Sequence, residues 1–277
     1  MMPTRTASSP LALVLAGTLA LALAGCTTTG PISGVNVEEA QGTQANIASL
    51  TAVVKQNPQN PEAYNVRGAA LGRAGRFEEA IEDFNKAISL NPRFYQAYAN
   101  RGLIYARQKE AQKAVADFNT SLRINPNYDE AYVRRADVYR ENNRPREALA
   151  DYNSAIRLST TAPRAYYNRG LLYQRSRQHE QAIADFSKAI SLADRRPEPY
   201  NARGLSYLAT GSTQNALDDV NTALELNPNY AEAWVNQGLA YEAQGNKAKA
   251  FKSFTKGAKL DPAYAPAKEG VSRTRGA

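Results

Sequence analysis

The chain has 277 residues, 34 of them basic and 26 acidic, with a net charge of +8, one histidine and one cysteine. A single cysteine rules out an internal disulfide, and with a single histidine it leaves too few ligands for the Cys and His clusters that hold zinc. Sixteen tyrosines stand out in an otherwise ordinary composition.

Residues 1–25 carry one positive charge, at Arg5, followed by an apolar run from Leu11 to Ala24. That run is short for a bilayer span and has the charge, apolar core and small-residue end of an export signal. The stretch Leu23-Ala24-Gly25-Cys26 resembles the bacterial lipobox. The resemblance implies cleavage before Cys26, lipid attachment through its thiol, and an exported chain anchored to a membrane. Thr27, in the place where an aspartate would retain such a lipoprotein, implies the periplasmic face of the outer membrane of a two-membrane bacterium. Residues 26–42, rich in Thr, Gly and Ser with little to bury, are expected to form a flexible tether.

Over 43–60 the apolar residues Ile47, Leu50, Val53 and Val54 recur at helical spacing, and Asn57-Pro58 ends the run. This predicts a capping helix. From Pro61 onward a unit of 34 residues is written six times without insertion, at 61–94, 95–128, 129–162, 163–196, 197–230 and 231–264. Such a period marks a stack of repeats. Tyr64, Tyr98, Tyr132, Tyr166, Tyr200 and Trp234 hold the fourth place of the unit, and Gly68, Gly102, Ala136, Gly170, Gly204 and Gly238 the eighth. Tyr64, Gly68 and Leu71 share one face of a first helix; Ala80, Ile81, Phe84, Ala87 and Ile88 share one face of a second. Gly75 suits the turn between them because it takes positive φ freely, and Pro92 stops the second helix because it has no amide hydrogen. Residues 265–277 are expected to form a short C-terminal capping helix and tail.

The pattern of aromatic, glycine, alanine and proline at this period resembles the tetratricopeptide repeat (TPR). The resemblance implies an all-α fold: a right-handed superhelical solenoid of about six helix-turn-helix repeats with terminal capping helices. In that family first helices line the concave wall, through places 2, 5, 6, 9, 12 and 13. Carried onto this chain, those places point to Asn100, Arg134, Arg140, Arg164, Tyr167, Asn168, Arg175 and Asn236 as a peptide-binding groove. The amides would hold a peptide backbone, the guanidinium groups would take carboxylates, and Tyr167 would form an apolar wall. The chaperone-binding clamp of the family is matched only by Asn100 and Arg134. Asn65, Ala69 and Glu130 stand where lysine, asparagine and lysine are expected.

Two further regularities come from the residues themselves. Place seven holds Arg67, Arg101, Arg135, Arg169 and Arg203, then Gln237; place 23 holds Asp83, Asp117, Asp151, Asp185 and Asp219, then Ser253. Both charges disappear in the same repeat. Because the two places lie at about one height on the facing helices of a hairpin, they are expected to form five structural Arg–Asp pairs. The junction proline is absent at Thr160 and Asp194, on either side of the fourth repeat, so that either the superhelical angle changes there or the sequence has drifted. The same repeat has seven basic and three acidic residues, the next only one basic and four acidic.

Catalytic chemistry is not indicated. His179 sits in a turn and is expected to be solvated; Glu78-Glu79 and Asp218-Asp219 fall at the outer starts or faces of second helices, where acids suit water or the helix amino end. No enzyme, metal or cofactor is expected. By resemblance to NlpI-type envelope lipoproteins, the expected function is a membrane-anchored adaptor or scaffold that binds extended segments of envelope proteins such as peptidoglycan hydrolases or a protease. The alternative is a pilotin-like assembly factor for an outer-membrane secretin or barrel complex. Nucleic acid is not an expected partner, since export would put it in another compartment. If the groove is not the binding site, the convex face or a homodimer interface takes its place.

Overall fold

The computed structural model describes residues 44–276. The export signal, Cys26 and the tether therefore lie outside the described residues. Helix α1 (Gln44–Gln56) is followed by six helical hairpins: α2 (Pro61–Arg73) with α3 (Phe77–Leu90), α4 (Tyr95–Arg107) with α5 (Ala111–Ile124), α6 (Asp129–Glu141) with α7 (Pro145–Arg157), α8 (Pro163–Arg175) with α9 (His179–Leu192), α10 (Pro197–Ala209) with α11 (Thr213–Leu226), and α12 (Ala231–Ala243) with α13 (Lys247–Leu260). Helix α14 (Ala265–Thr274) packs on α13 and α12, and α1 packs on α2. There is no strand among the described residues.

Each hairpin closes in the same way. The fifteenth residue of every repeat has positive φ: Gly75, Lys109, Asn143, Arg177, Gly211 and Gly245. The following amide then reaches five residues back, as Arg76 N does to the Leu71 carbonyl at 2.9 Å and Glu110 N to that of Tyr105 at 2.8 Å. Glycine adopts this conformation without a Cβ clash; Lys109 and Arg177 adopt it at a cost of about 1 kcal/mol each.

Between repeats, Asn91, Asn125, Asn227 and Asp261 accept a hydrogen bond from the amide two residues on, across the following proline. The third junction lacks that proline and is built differently. Helix α7 stops at Arg157, Ser159 takes positive φ, and the Thr160 hydroxyl accepts from Ala162 N. Aromatic side chains at place four pin the junctions. The hydroxyls of Tyr64, Tyr98 and Tyr166 donate to the carbonyls of Pro58, Pro92 and Thr160, and Trp234 Nε1 donates to that of Pro228.

Apolar residues are buried repeat by repeat. One cluster joins Ala99, Ala114, Phe118 and Leu122 to Ala131 and Val138 of the next unit; another joins Val133, Ala148, Tyr152 and Ala155 to Ala165 and Leu172. No central core exists in such a stack, because each unit covers its neighbour. The glycine at place eight permits the close approach within a hairpin: a Cβ on Gly170 would lie 2.7 Å from Phe186, and one on Gly238 2.6 Å from Phe254. Repeat three departs from this with Ala136 and Tyr152 in the two places.

Candidate functional site

The arginines of place seven form a continuous polar ladder. Arg135 Nε and Nη2 donate to the two Asp151 oxygens, both at 2.7 Å, and the same fork joins Arg67 to Asp83, Arg101 to Asp117, Arg169 to Asp185 and Arg203 to Asp219 at 2.6–2.8 Å. The aspartates are buried. The third nitrogen reaches back one repeat: Nη1 of Arg101, Arg135, Arg169 and Arg203 donates to Asn85, Asn119, Asn153 and Ser187, respectively. Each of these four arginines therefore ties two repeats together. In repeat six Gln237 donates to Asn221 and accepts from the Ser253 hydroxyl, both at 2.7 Å. Hydrogen bonding to aspartate raises the pKa of Arg67, Arg101 and Arg203 against the opposing effect of burial. For Arg135 and Arg169 burial is the largest influence, and the aspartate overcomes it.

The groove is more selective than its sequence suggests. Asn168 and Asn236 are buried, with side chains engaged between neighbouring first helices. Asn168 Nδ2 donates to Asp137 Oδ1 at 2.8 Å, and Asn236 Nδ2 to Asn201 Oδ1 at 2.8 Å. Asn100 Nδ2 likewise donates to Asn65 Oδ1 at 2.9 Å. These amides join neighbouring first helices to one another. Tyr167 is half-buried, its ring centroid 5.9 Å from that of Phe186, and burial raises its pKa. Arg175 is exposed beside a different hollow, lined by Pro145, Leu149, Leu172 and Tyr173. Arg140 extends to Glu141 at 3.4 Å, and its Nε is buried without a hydrogen-bond partner.

Arg134 and Arg164 do come together. They line a hollow of about 220 Å³ with Leu103, Arg107, Phe118, Asp137 and Val138. A second hollow of about 210 Å³ adjoins it, sharing Leu103, Arg107 and Arg134 and adding Asn100 and Ile104. Beneath the first lies a polar node missed from sequence: Asp137, at a place held elsewhere by alanine or leucine, accepts from the fully buried Tyr152 hydroxyl at 2.6 Å and from Asn168. Arg164 Nε stands 3.0 Å from Asp137 Oδ2 yet lacks hydrogen-bond alignment, and burial pulls its pKa down despite that carboxylate. Arg134 is held by Glu130 at 3.1 Å, and Arg107 Nη1 donates to the Gly72 carbonyl at 2.9 Å. The walls are part apolar, part guanidinium and part carboxylate, with Asp137 and Glu141 in the first hollow and Glu130 in the second.

His179 differs from expectation. It is the first residue of α9 and half-buried, and its Nδ1 is shut off from solvent without a hydrogen-bond partner. Glu78 and Glu79 are exposed in the first turn of α3, while Asp219 belongs to the ladder and Asp218 accepts from Gln214. Among the described residues no group of three or more His, Cys, Asp or Glu side chains could hold a metal.

Family models described as tetratricopeptide repeat match residues 61–94, 95–128, 163–195 and 201–265, and one described as TPR repeat matches 136–176. The chain belongs to the tetratricopeptide-repeat proteins, and its fold is a TPR solenoid. No curated protein matches it. Among solved structures it is similar to the Cut9–Hcn1 hetero-tetramer of APC/C, with 17% identity and a TM-score of 0.68 over 86% of this chain and 47% of that one. The chain thus spans under half of that relative. It is also similar to YrrB, described as a TPR protein with an unusual peptide-binding site, at 23% identity and TM-score 0.64, over 69% of this chain and 99% of that one. PilW, described as a type IV pilus biogenesis factor, gives 18% identity and TM-score 0.63, over 76% and 97%. At these identities the likeness concerns the fold.

Proposed function

We propose that the chain is a membrane-anchored scaffold, tethered through Cys26 at the periplasmic face of an outer membrane, that holds an extended acidic segment of an envelope protein in its groove. The observation that carries the groove reading is the pair of adjoining hollows that share Arg107 and Arg134, with Arg164 at the far wall. Arg164 is incompletely neutralised where it stands: its Nε lacks an acceptor and burial depresses its pKa. A carboxylate from a partner would supply what Asp137 does not. Tetratricopeptide proteins serve as protein-interaction scaffolds, which agrees with this reading.

Replacing Arg134 and Arg164 by glutamate tests it. Capture of partners from detergent-solubilised envelope should fall by roughly tenfold or more, while helicity stays unchanged, and raising salt should slow association more than it speeds release. Capture of the same partners at the same yield by the double variant would overturn the groove. The second reading, assembly of a pilus or secretin complex, takes its support from the fold shared with PilW; secretin subunits, in place of hydrolases or a protease, would then dominate the captured material.

A further inference from the structure

Arginine and lysine are used in different parts of this molecule. Arginine fills the ladder and the groove, whereas six of the chain's 11 lysines fall between 247 and 268. Five of them are on α13, KAKAFKSFTKGAKL, which contains no acidic residue. Other second helices are unlike it: α3 carries Glu78, Glu79, Glu82 and Asp83 against one lysine, and α11 carries Asp218, Asp219 and Glu225 with no basic residue.

Lys249, Lys252, Lys256 and Lys259 follow one another at three- and four-residue steps, which places them in one stripe about 15 Å long. The stripe points away from Ala250, Phe254 and Gly257, which bury the other side of the helix in the stack. All four lysines are exposed, and among the described residues none makes an ion pair; Lys249 has only the Tyr241 ring, 5.2 Å away. Nearby acids are otherwise engaged. Glu242 is held by Arg273, and Asp261 caps the Ala263 amide.

Three features of this face narrow what it can bind. It offers no exposed large apolar residue, since those of the described chain are Val53, Val66, Leu205 and Leu226. A protein partner ordinarily centres its contact on buried apolar or aromatic groups, and here there are none to bury. The cations are lysines, which act as mobile point charges and do not fix one phosphate or carboxylate as an arginine fork does. A straight row of unpaired point charges suits a surface whose charge is spread over a plane. We propose that the lysine stripe of α13 docks on an anionic lipid surface, laying the sixth repeat against the bilayer. Attraction of this kind acts over about a Debye length, ~10 Å at moderate salt, so all four lysines on one rigid face can contribute together. The proposal does not depend on lipidation of Cys26; an anchor there would simply raise the local concentration of the same surface.

Acylation of lysines by a water-soluble amine reagent, read residue by residue by mass spectrometry on the full chain, tests the inference. With vesicles containing a third phosphatidylglycerol, Lys249, Lys252, Lys256 and Lys259 should react at least about threefold more slowly than with all-phosphatidylcholine vesicles, and high salt should erase the difference. The exposed Lys86 and Lys188 should react alike in both. Equal rates at the stripe in the two vesicle types would overturn the proposal. So would uniform slowing of every lysine, which is adsorption without a face, or protection of the stripe by an added acidic protein or nucleic acid but not by vesicles. A chain that fails to sediment with phosphatidylcholine vesicles counts against the Cys26 anchor alone; the anionic comparison is then read by co-sedimentation, which the quadruple lysine-to-glutamine variant should lose.

Discussion

Repeats one to five and repeat six solve the same problem with different chemistry. In the first five an arginine donates forward to its own hairpin's aspartate, and from the second onward it also donates backward to the preceding repeat; in the sixth a glutamine donates backward and accepts forward from Ser253. The neutral version keeps both links at 2.7 Å, so the feature held constant along the stack is hydrogen-bond continuity between repeats, and charge is one way to achieve it. The charged version commits each repeat more deeply. An aspartate buried beside an arginine has no acceptable state without its partner, whereas a serine and a glutamine can be lost at the cost of one ordinary hydrogen bond.

The largest effect expected from this difference is in repeat three. Arg135→Ala and Asp151→Ala should each destabilise the protein by roughly 1–3 kcal/mol in chemical denaturation, and the double variant should cost less than the sum. Plain additivity would mean that the two side chains do not act as partners. Installing the repeat-six solution, Arg135→Gln with Asp151→Ser, should be milder than either single alanine; if it is worse, the neutral link works only at the end of the stack. Next in size, Ser253→Ala should cost about 1 kcal/mol, since it removes one neutral hydrogen bond and leaves the Gln237 carbonyl without that donor.

The smallest effect is a pH dependence at the C-terminal end. Hydrogen bonding from Arg273 holds the Glu242 carboxyl below its usual 4.5, so the contact between α12 and α14 contributes stability that is present above about that pH. It is lost as pH falls through the lower folded-state value. Amide protection in 265–274, corrected for the intrinsic pH dependence of exchange, should therefore fall in acid ahead of the ladder repeats, and Glu242→Gln should abolish this local sensitivity. Uniform loss of protection along the whole stack would show that Glu242 does not control the end.

Much of this was legible from the sequence because a 34-residue period repeats every error as well as every signal. The hairpins followed from one aromatic, one glycine and one proline returning in register, and the Arg–Asp pairing followed from two charges vanishing in the same unit. The backward link to Asn85, Asn119, Asn153 and Ser187 was equally periodic but chemically quiet, since small polar residues on an outer helix resemble any solvated surface. That Asn168 and Asn236 also span to the adjacent first helix was not legible, because that distance is set by packing between repeats. Asp137 and Tyr152 are single departures from the pattern, and only their 2.6 Å contact shows that they depart together. The left-handed turns at Lys109, Asn143 and Arg177 could have been inferred from their alignment with Gly75; the residue type suits that conformation at Asn143 but argues against it at Lys109 and Arg177.

The ladder also limits how a molecule of this kind can change in length. From the second repeat onward each rung spans sixteen residues forward and sixteen back, so it closes only when neighbouring units are in register. Duplication or excision of a whole 34-residue unit brings an equivalent arginine, aspartate and asparagine back into place, and the new boundary between units is stitched as the old ones were. An insertion of one or two residues within a helix turns a rung's partner to the wrong side and leaves a buried carboxylate facing nothing. Length in this architecture is therefore quantised: a longer or shorter groove is reached in whole steps, each adding or removing one complete set of groove-facing positions.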